Sequence, residues 1–325
     1  MLMLLTSFLG RNLVLTNGDR FRLLCVQIIM INIRAATERS VEDTLWHAHT
    51  LVVKAYKIVI ANLQGPSSVV VKRRIEKLYS TSLATSSSFY KTYMQRFCGS
   101  GKPKELERVA RIVKLDGLPA DLKVPAQVAD PEVEQYFKHS FHKTLVYLGD
   151  LSRYRTLLRP RDRSFNAALT YYALANELMP ESGYGYHQSG VIYAEAHNHL
   201  EIVYNMYRAV ACDYPHPLGK TNLEREFRDL RLQKAGGARG PVDAMISWFV
   251  KLHAFYYEGE EFTGRKEMED EVDNHLSTAL KTADGPAIDG VLLKMVLINI
   301  VAYVAAKDKV QGRCYEFFRV LSRHS

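Results

Sequence analysis

The chain is predicted to be all-α, built of stacked helix hairpins. Three observations carry that prediction. Apolar residues recur three and four positions apart through nearly every segment after Glu38, while strand-like alternation is scarce. Two helical units close on prolines, Pro180 and Pro215, close to one hairpin-repeat length apart. Small residues such as Ala168 and Gly190 stand where neighbouring helices must approach, with aromatics beside them to fill the gaps.

The elements come in order along the chain. Met1 to Gly10 is apolar, but no basic residue precedes the run and Arg11 ends it, so it makes a poor signal peptide. Leu23 to Ile33 is apolar apart from Gln27 and Asn32, and is shorter than the roughly 20 residues a membrane span needs. Neither segment carries a helical stripe continuous with the helices after Glu38, so residues 1–38 are expected to be a weakly ordered extension. Leu45 to Leu63 carries the stripe Leu45, Ala48, Val52, Tyr56, Val59 and Leu63, and Gly65-Pro66 ends it. A second helix is expected from Ser67 to Phe97, with a Ser/Thr-rich middle at Ser80 to Ser88. Gly99 to Pro131 mixes Gly, Pro and charge and reads as a loop with a short helix inside. Pro131 opens a helix that reaches Tyr154 or Arg155, and Arg159-Pro160-Arg161-Asp162-Arg163 is a loop.

The repeat comes next. Ala168, Tyr172, Ala175 and Pro180 stand at the offsets of the second helix of a tetratricopeptide repeat, with Leu148-Gly149 in its first helix. The next unit offers Tyr186, Gly190 and Tyr193, then Val203, Tyr207, Val210 and Pro215. Thr221 to Gln233 is a polar helix, broken at Gly236-Gly237. Met245 to Tyr257, Lys266 to Lys281 and Ile288 to Ala306 make a second helical set. The organisation expected is an extension over 1–38, a repeat domain over 39–235 and a helical-hairpin extension over 236–325.

Bulk chemistry narrows the function. The 325 residues are 47% hydrophobic, enough for a sizeable core, and carry a formal charge of +8. A basic balance of that size favours acidic partners such as nucleic acid or phosphorylated protein. The four cysteines, Cys25, Cys98, Cys212 and Cys314, form no CxxC pair and suit buried free thiols in a reducing compartment.

Catalytic and cofactor motifs do not hold up. Gly99-Ser100-Gly101-Lys102 lacks the earlier glycine of a phosphate loop, where Arg96 stands, and Pro103 replaces its Ser or Thr. The pairs His47/His49 and His197/His199 have a two-residue spacing that points helical imidazoles apart. His139 and His142 lack an acidic or thiol partner at ligand spacing. No enzyme, metal or cofactor is therefore expected, and no membrane partner.

What remains is a cluster of cations. Arg153, Arg155, Arg159, Arg161 and Arg163 fall within eleven residues, with Tyr154 among them. Guanidinium groups match phosphate geometry bidentately and a phenol adds a hydrogen bond. Arg153 lies one turn after Gly149, which is expected to leave the space beside it open. Asp150, three residues before Arg153, is placed to orient or neutralise it. Lys54 and Lys57 share one face of the Leu45 helix, and Lys72-Arg73-Arg74 is a further basic run with the pattern of a solvated helix start.

Several stretches carry a family resemblance. They are Leu145 to Arg155 (LVYLGDLSRYR), Ala168 to Tyr193, Tyr214 to Glu224, Leu292 to Tyr303 and, at the front, Leu45 to Gln64. Together they resemble the ever-shorter-telomeres family, which comprises fungal telomerase-associated factors and the related nonsense-mediated mRNA decay adaptors. The Gly-Asp-x-x-Arg-Tyr-Arg core is the most specific part. The resemblance implies a 14-3-3-like domain of tetratricopeptide hairpins followed by a helical-hairpin extension. It implies a non-catalytic adaptor that binds phosphorylated Ser or Thr on a helicase-type decay factor, through Lys57 and Arg153 with Tyr154 assisting. In the telomerase branch it implies contact with telomerase RNA or single-stranded telomeric DNA. Lys54, Arg155, Arg159, Arg161 and Arg163 are the further anion or nucleic-acid contacts. A hetero-oligomer with a related adaptor and a place in nucleus and cytoplasm are implied by the same resemblance. Chains of the family run much longer, so the resemblance implies the expectation of a short paralogue or an incomplete gene model.

Overall fold

A computed structural model of the protein describes residues 13–65, 68–98, 131–159, 163–233, 240–257, 262–282 and 285–309. The expected short helix within 99–130, the Gly99–Lys102 run and the Gly236-Gly237 break lie outside the described residues. Twelve helices are described: α1 Leu13–Ile31, α2 Ile33–Glu38, α3 Val41–Asn62, α4 Val69–Cys98, α5 Pro131–Leu157, α6 Asn166–Leu178, α7 Tyr184–Glu195, α8 His199–Val210, α9 Gly219–Leu232, α10 Pro241–Tyr256, α11 Arg265–Thr282 and α12 Pro286–Lys309. Among the described residues there is no strand, only a parallel bridge between Ser182 and Tyr214. The chain divides into two compact units, Met1–Met179 and Pro180–Ser325.

In the first unit α3, α4 and α5 pack in succession, and α5 and α6 form the tightest hairpin. The hairpin closes because Gly149 has no side chain: a β-carbon there would lie 2.2 Å from Cε1 of Tyr172. The space beside Gly149, expected to be open, is therefore filled by the Tyr172 ring. A buried polar set ties α3 to α4 and α5. Tyr93 donates to Glu42 Oε1 at 2.6 Å, Ser140 also donates to Glu42, and His49 meets Ser86 at 2.9 Å. These partners explain why the buried face of α3 runs through Glu42, Leu45, His49 and Val53. The apolar stripe read from the sequence included Val52, which is 44% exposed.

The N-terminal segment also departs from expectation. Residues 13–38 are not a loose extension, because α1 and α2 bury Cys25, Val26, Ile29, Ile33 and Ala36. These helices contact α3, and α2 also contacts α5. Asn32 caps α2 by accepting from the Ala35 amide.

The second unit is a separate hydrophobic core shared by α8 to α12, with Val203, Tyr207, Phe227, Met245, Val250 and Ile298 at its centre. The α7–α8 hairpin again uses a glycine, since a β-carbon on Gly190 would meet Met206 Cε at 2.7 Å. One core thus runs through α8 and α9 into α10, across the stretch where a boundary near residue 236 was expected.

Candidate anion-binding site

The site is assembled in the first unit from α3, α5 and α6, and each side chain in it has a local reason for its position. Tyr172 enters the room left by Gly149, and its hydroxyl donates to Asp150 Oδ1 at 2.7 Å. Asp150 in turn accepts from Arg153 Nη2 at 3.1 Å, one turn later on α5. Tyr154 is the next residue. Its ring has the Arg153 guanidinium carbon 5.0 Å from its centroid and the Lys57 ammonium 4.1 Å from it. Lys57 comes from α3, nearly a hundred residues away in sequence. Both cations flank one aromatic ring, so they are separated by less than the sum of those two distances. That lies inside the span of about 10 Å over which two cations can share one phosphate.

The electrostatics reflect burial and charge. The Asp150 side chain is 7% exposed and that of Arg153 is 14% exposed, so the carboxylate is sealed and the guanidinium lies mostly buried beside it. Burial raises the Asp150 pKa, and Arg153, Tyr172 and Lys57 oppose the rise. Burial works against the charge on Arg153, but the Tyr172 phenol and the Asp150 carboxylate outweigh it and fix the guanidinium as a cation. Lys57 is lowered, by burial first and by the neighbouring Arg153 second, while Asp150 pulls it back. Burial also pushes the Tyr154 phenol up to about 12, so it is a protonated donor at neutral pH. Two cations that raise each other's free energy, beside a phenol, give this corner of the first unit the chemistry that suits a compact dianion.

Of the residues singled out from sequence, Lys57, Arg153 and Tyr154 come together. Lys54, Arg155, Arg159 and Arg163 are exposed, and no described contact joins them to the Tyr154 ring. Arg163 Nε donates to the Arg159 carbonyl at 3.2 Å. Arg161 lies outside the described residues. Sequence reasoning gave Tyr172 and Tyr56 only packing roles and did not single out Tyr79, whose ring stacks on that of Tyr56, the residue before Lys57. The spacing of Gly149 and Tyr172 held the signal for the first; nothing local marks the other two.

Comparison with known proteins places the chain among relatives of the same fold. Residues 40–159 match the family model described as telomerase activating protein Est1, and residues 168–322 match the one described as Est1 DNA/RNA binding domain. The nonsense-mediated mRNA decay factor SMG7 of Arabidopsis thaliana is 24% identical over 216 residues, covering 60% of this chain and 19% of that protein. The chain thus spans about a fifth of the length of that curated relative. The fold resembles the solved Caenorhabditis elegans SMG5–SMG7 complex with a TM-score of 0.59 at 13% identity, over 88% of this chain and 70% of that one. It resembles the crystal structure of Est1 and Cdc13 with a TM-score of 0.64 at 11% identity, over 95% of this chain and 63% of that one. The all-α, 14-3-3-like architecture of helix hairpins is shared with both.

Proposed function

The chain belongs to the Est1 family, whose members include decay factors and telomerase factors, and from that premise we propose that it is an adaptor that binds a phosphorylated protein in nonsense-mediated mRNA decay. The observation that carries the reading is the convergence of Lys57 and Arg153 on the Tyr154 ring. Their charge-assisted bonds hold one phosphoryl group, and Tyr154 donates a third. Arg153 is held by Asp150 and Tyr172 before the guest arrives, so little ordering entropy is lost on its side.

The test is a titration with a phosphoserine peptide and its unphosphorylated twin. The phosphopeptide binds in the micromolar range and the twin does not. Lys57→Ala removes an exposed side chain, keeps the fold and weakens binding roughly 10- to 100-fold, as loss of a bond to a charged group requires. Equal affinity for the two peptides refutes the proposal.

A second reading, binding of RNA or single-stranded DNA at telomeres, draws on the exposed Arg155, Arg159 and Arg163 and on the DNA/RNA-binding match. Charge locates where it would act. Residues 1–179 hold 26 basic and 15 acidic residues, whereas residues 180–325 hold 17 basic and 20 acidic. An anionic polymer is therefore drawn to the first unit, although the DNA/RNA-binding match falls almost wholly on the second. Salt-sensitive RNA affinity that Lys57→Ala leaves unchanged would favour this reading over the first.

A further inference from the structure

One group beside the site has no role in the arrangement of Lys57, Arg153 and Tyr154, the hydroxyl of Tyr79. Tyr79 stands on α4 and is 2% exposed. Its ring stacks on Tyr56, the residue before Lys57, with centroids 5.1 Å apart. Burial drives its phenol pKa up, the Tyr154 phenol adds to the rise and the Arg153 guanidinium opposes it, so two groups of the anion site lie within electrostatic reach. Yet among the described residues its hydroxyl meets no hydrogen-bond partner. A buried donor without a partner costs stability, and phenylalanine would fill the same space without that cost. The hydroxyl therefore does not serve the packing.

We infer that the Tyr79 hydroxyl is a further phosphate ligand, a donor kept beside Lys57, Arg153 and Tyr154 for an oxygen of the bound phosphoryl group. The inference rests on the phosphate-site reading of the proposed function. Each of the dianion's three oxygens accepts more than one hydrogen bond, so two cations and one phenol leave acceptor capacity over. A neutral O–H supplies a directed bond without adding a third mutually repelling charge. In the free protein the hydroxyl is sealed, so guest entry must shift a side chain. Lys57 is exposed and held to Tyr154 by a cation–π contact that a dianion outcompetes.

Tyr90 provides the control. It too is 2% exposed with a hydroxyl that meets no hydrogen-bond partner among the described residues, but its ring lies among Trp46, His49, Phe89 and Tyr147. Wild type, Tyr79→Phe and Tyr90→Phe are titrated with the phosphoserine peptide and its unphosphorylated twin, and each is melted without peptide. Both variants should keep or raise the wild-type Tm. Tyr79→Phe should bind the phosphopeptide about tenfold more weakly, the loss expected for one bond to a charged acceptor, while Tyr90→Phe matches wild type. The inference is overturned if Tyr79→Phe binds within twofold of wild type, if both variants lose affinity alike, or if Tyr79→Phe melts lower, which would reveal a bond spent on the fold. A wild type that fails to prefer the phosphopeptide sinks the phosphate site and this inference together. A wild type that prefers it, matched by Tyr79→Phe, sinks this inference alone.

Discussion

Gly149→Ala strikes the contact from which the rest of the site hangs. The added β-carbon would lie 2.2, 2.6 and 2.8 Å from Cε1, Cδ1 and Cζ of Tyr172. Non-bonded carbons pack at about 3.5–4.0 Å, so the ring must retreat by about 1 Å or more. Tyr172 is fully buried and has no solvent to retreat into. Overpacking of this kind costs about 1–3 kcal/mol. The retreat also withdraws the hydroxyl from Asp150, and taking a donor from a buried carboxylate costs about 1.5–3 kcal/mol. Alanine returns about 1 kcal/mol of helix propensity. The balance is a loss of about 1.5–5 kcal/mol, a large share of the 5–15 kcal/mol that typically holds a domain together. Urea unfolding of the variant against wild type measures it. Gly290→Ala on α12 is the companion, because a β-carbon there meets nothing within 4 Å and the change should be neutral or stabilising. A Gly149→Ala protein within about 0.5 kcal/mol of wild type would refute the claim that this glycine admits Tyr172 and, through it, sets Asp150 and Arg153.

The buried charges lead to two further outcomes. His49 is lowered to about 3 by burial and then by Arg22, His142 to about 4 by burial and then by His139 and its lysine neighbours, and His253 to about 4 by burial that Asn299 partly offsets. All three lie below the unfolded value near 6.5, so the unfolded chain binds more protons between about pH 6.5 and 4, and stability is lost as pH falls through that window. Asp150, raised in the fold, works in the opposite direction but is one group against three. A urea midpoint unchanged from pH 7 to pH 5 would contradict this. Asp150→Asn keeps an oxygen for Tyr172 and Arg153 but removes the counter-charge. It should destabilise the protein by about 3–5 kcal/mol while raising phosphopeptide affinity. Weaker binding by the folded variant would show that orientation of Arg153 depends on the charge itself.

Much of the fold was legible from helical periodicity and punctuation. Pro131 opens α5 as expected, and α5 ends at Leu157, within three residues of the expected Tyr154 or Arg155. The closing prolines at 180 and 215 come after α6 and α8. What failed to show are the places where a polar residue is buried because a distant partner receives it. Glu42 reads as a solvated residue until Tyr93 and Ser140 arrive, and His49 until Ser86 does. An apolar count cannot see such pairs, so it placed the exposed Val52 in the α3 stripe and left out the buried His49. The N-terminal helices were missed for a related reason: their buried residues are few and find their core only against α3 and α5. At the site, Arg153 and Tyr154 were legible from local composition, and Lys57 from resemblance alone. Tyr172 and Tyr79 were not legible as site residues, because each acts across a helix contact that spacing does not encode.

The ionic set around Asp150 is a poor device for stability and a good one for recognition. Replacing a buried ion pair by apolar side chains of similar volume is often neutral or stabilising. Burial raises Asp150 even with Arg153 beside it, which marks the carboxylate as held at some cost. What the set supplies is position. Asp150 and Tyr172 hold one end of the guanidinium, so its reach toward Tyr154 is fixed before any guest arrives. The same carboxylate cancels one of the two cations, leaving a single net positive charge around the Tyr154 ring. Under the proposed function, a phosphate dianion would meet a preorganised but only half-compensating receptor, held by geometry more than by net charge. That is the arrangement expected of a reader of phosphorylation that must also let go, because discrimination comes from the fixed donors while the modest charge keeps dissociation fast.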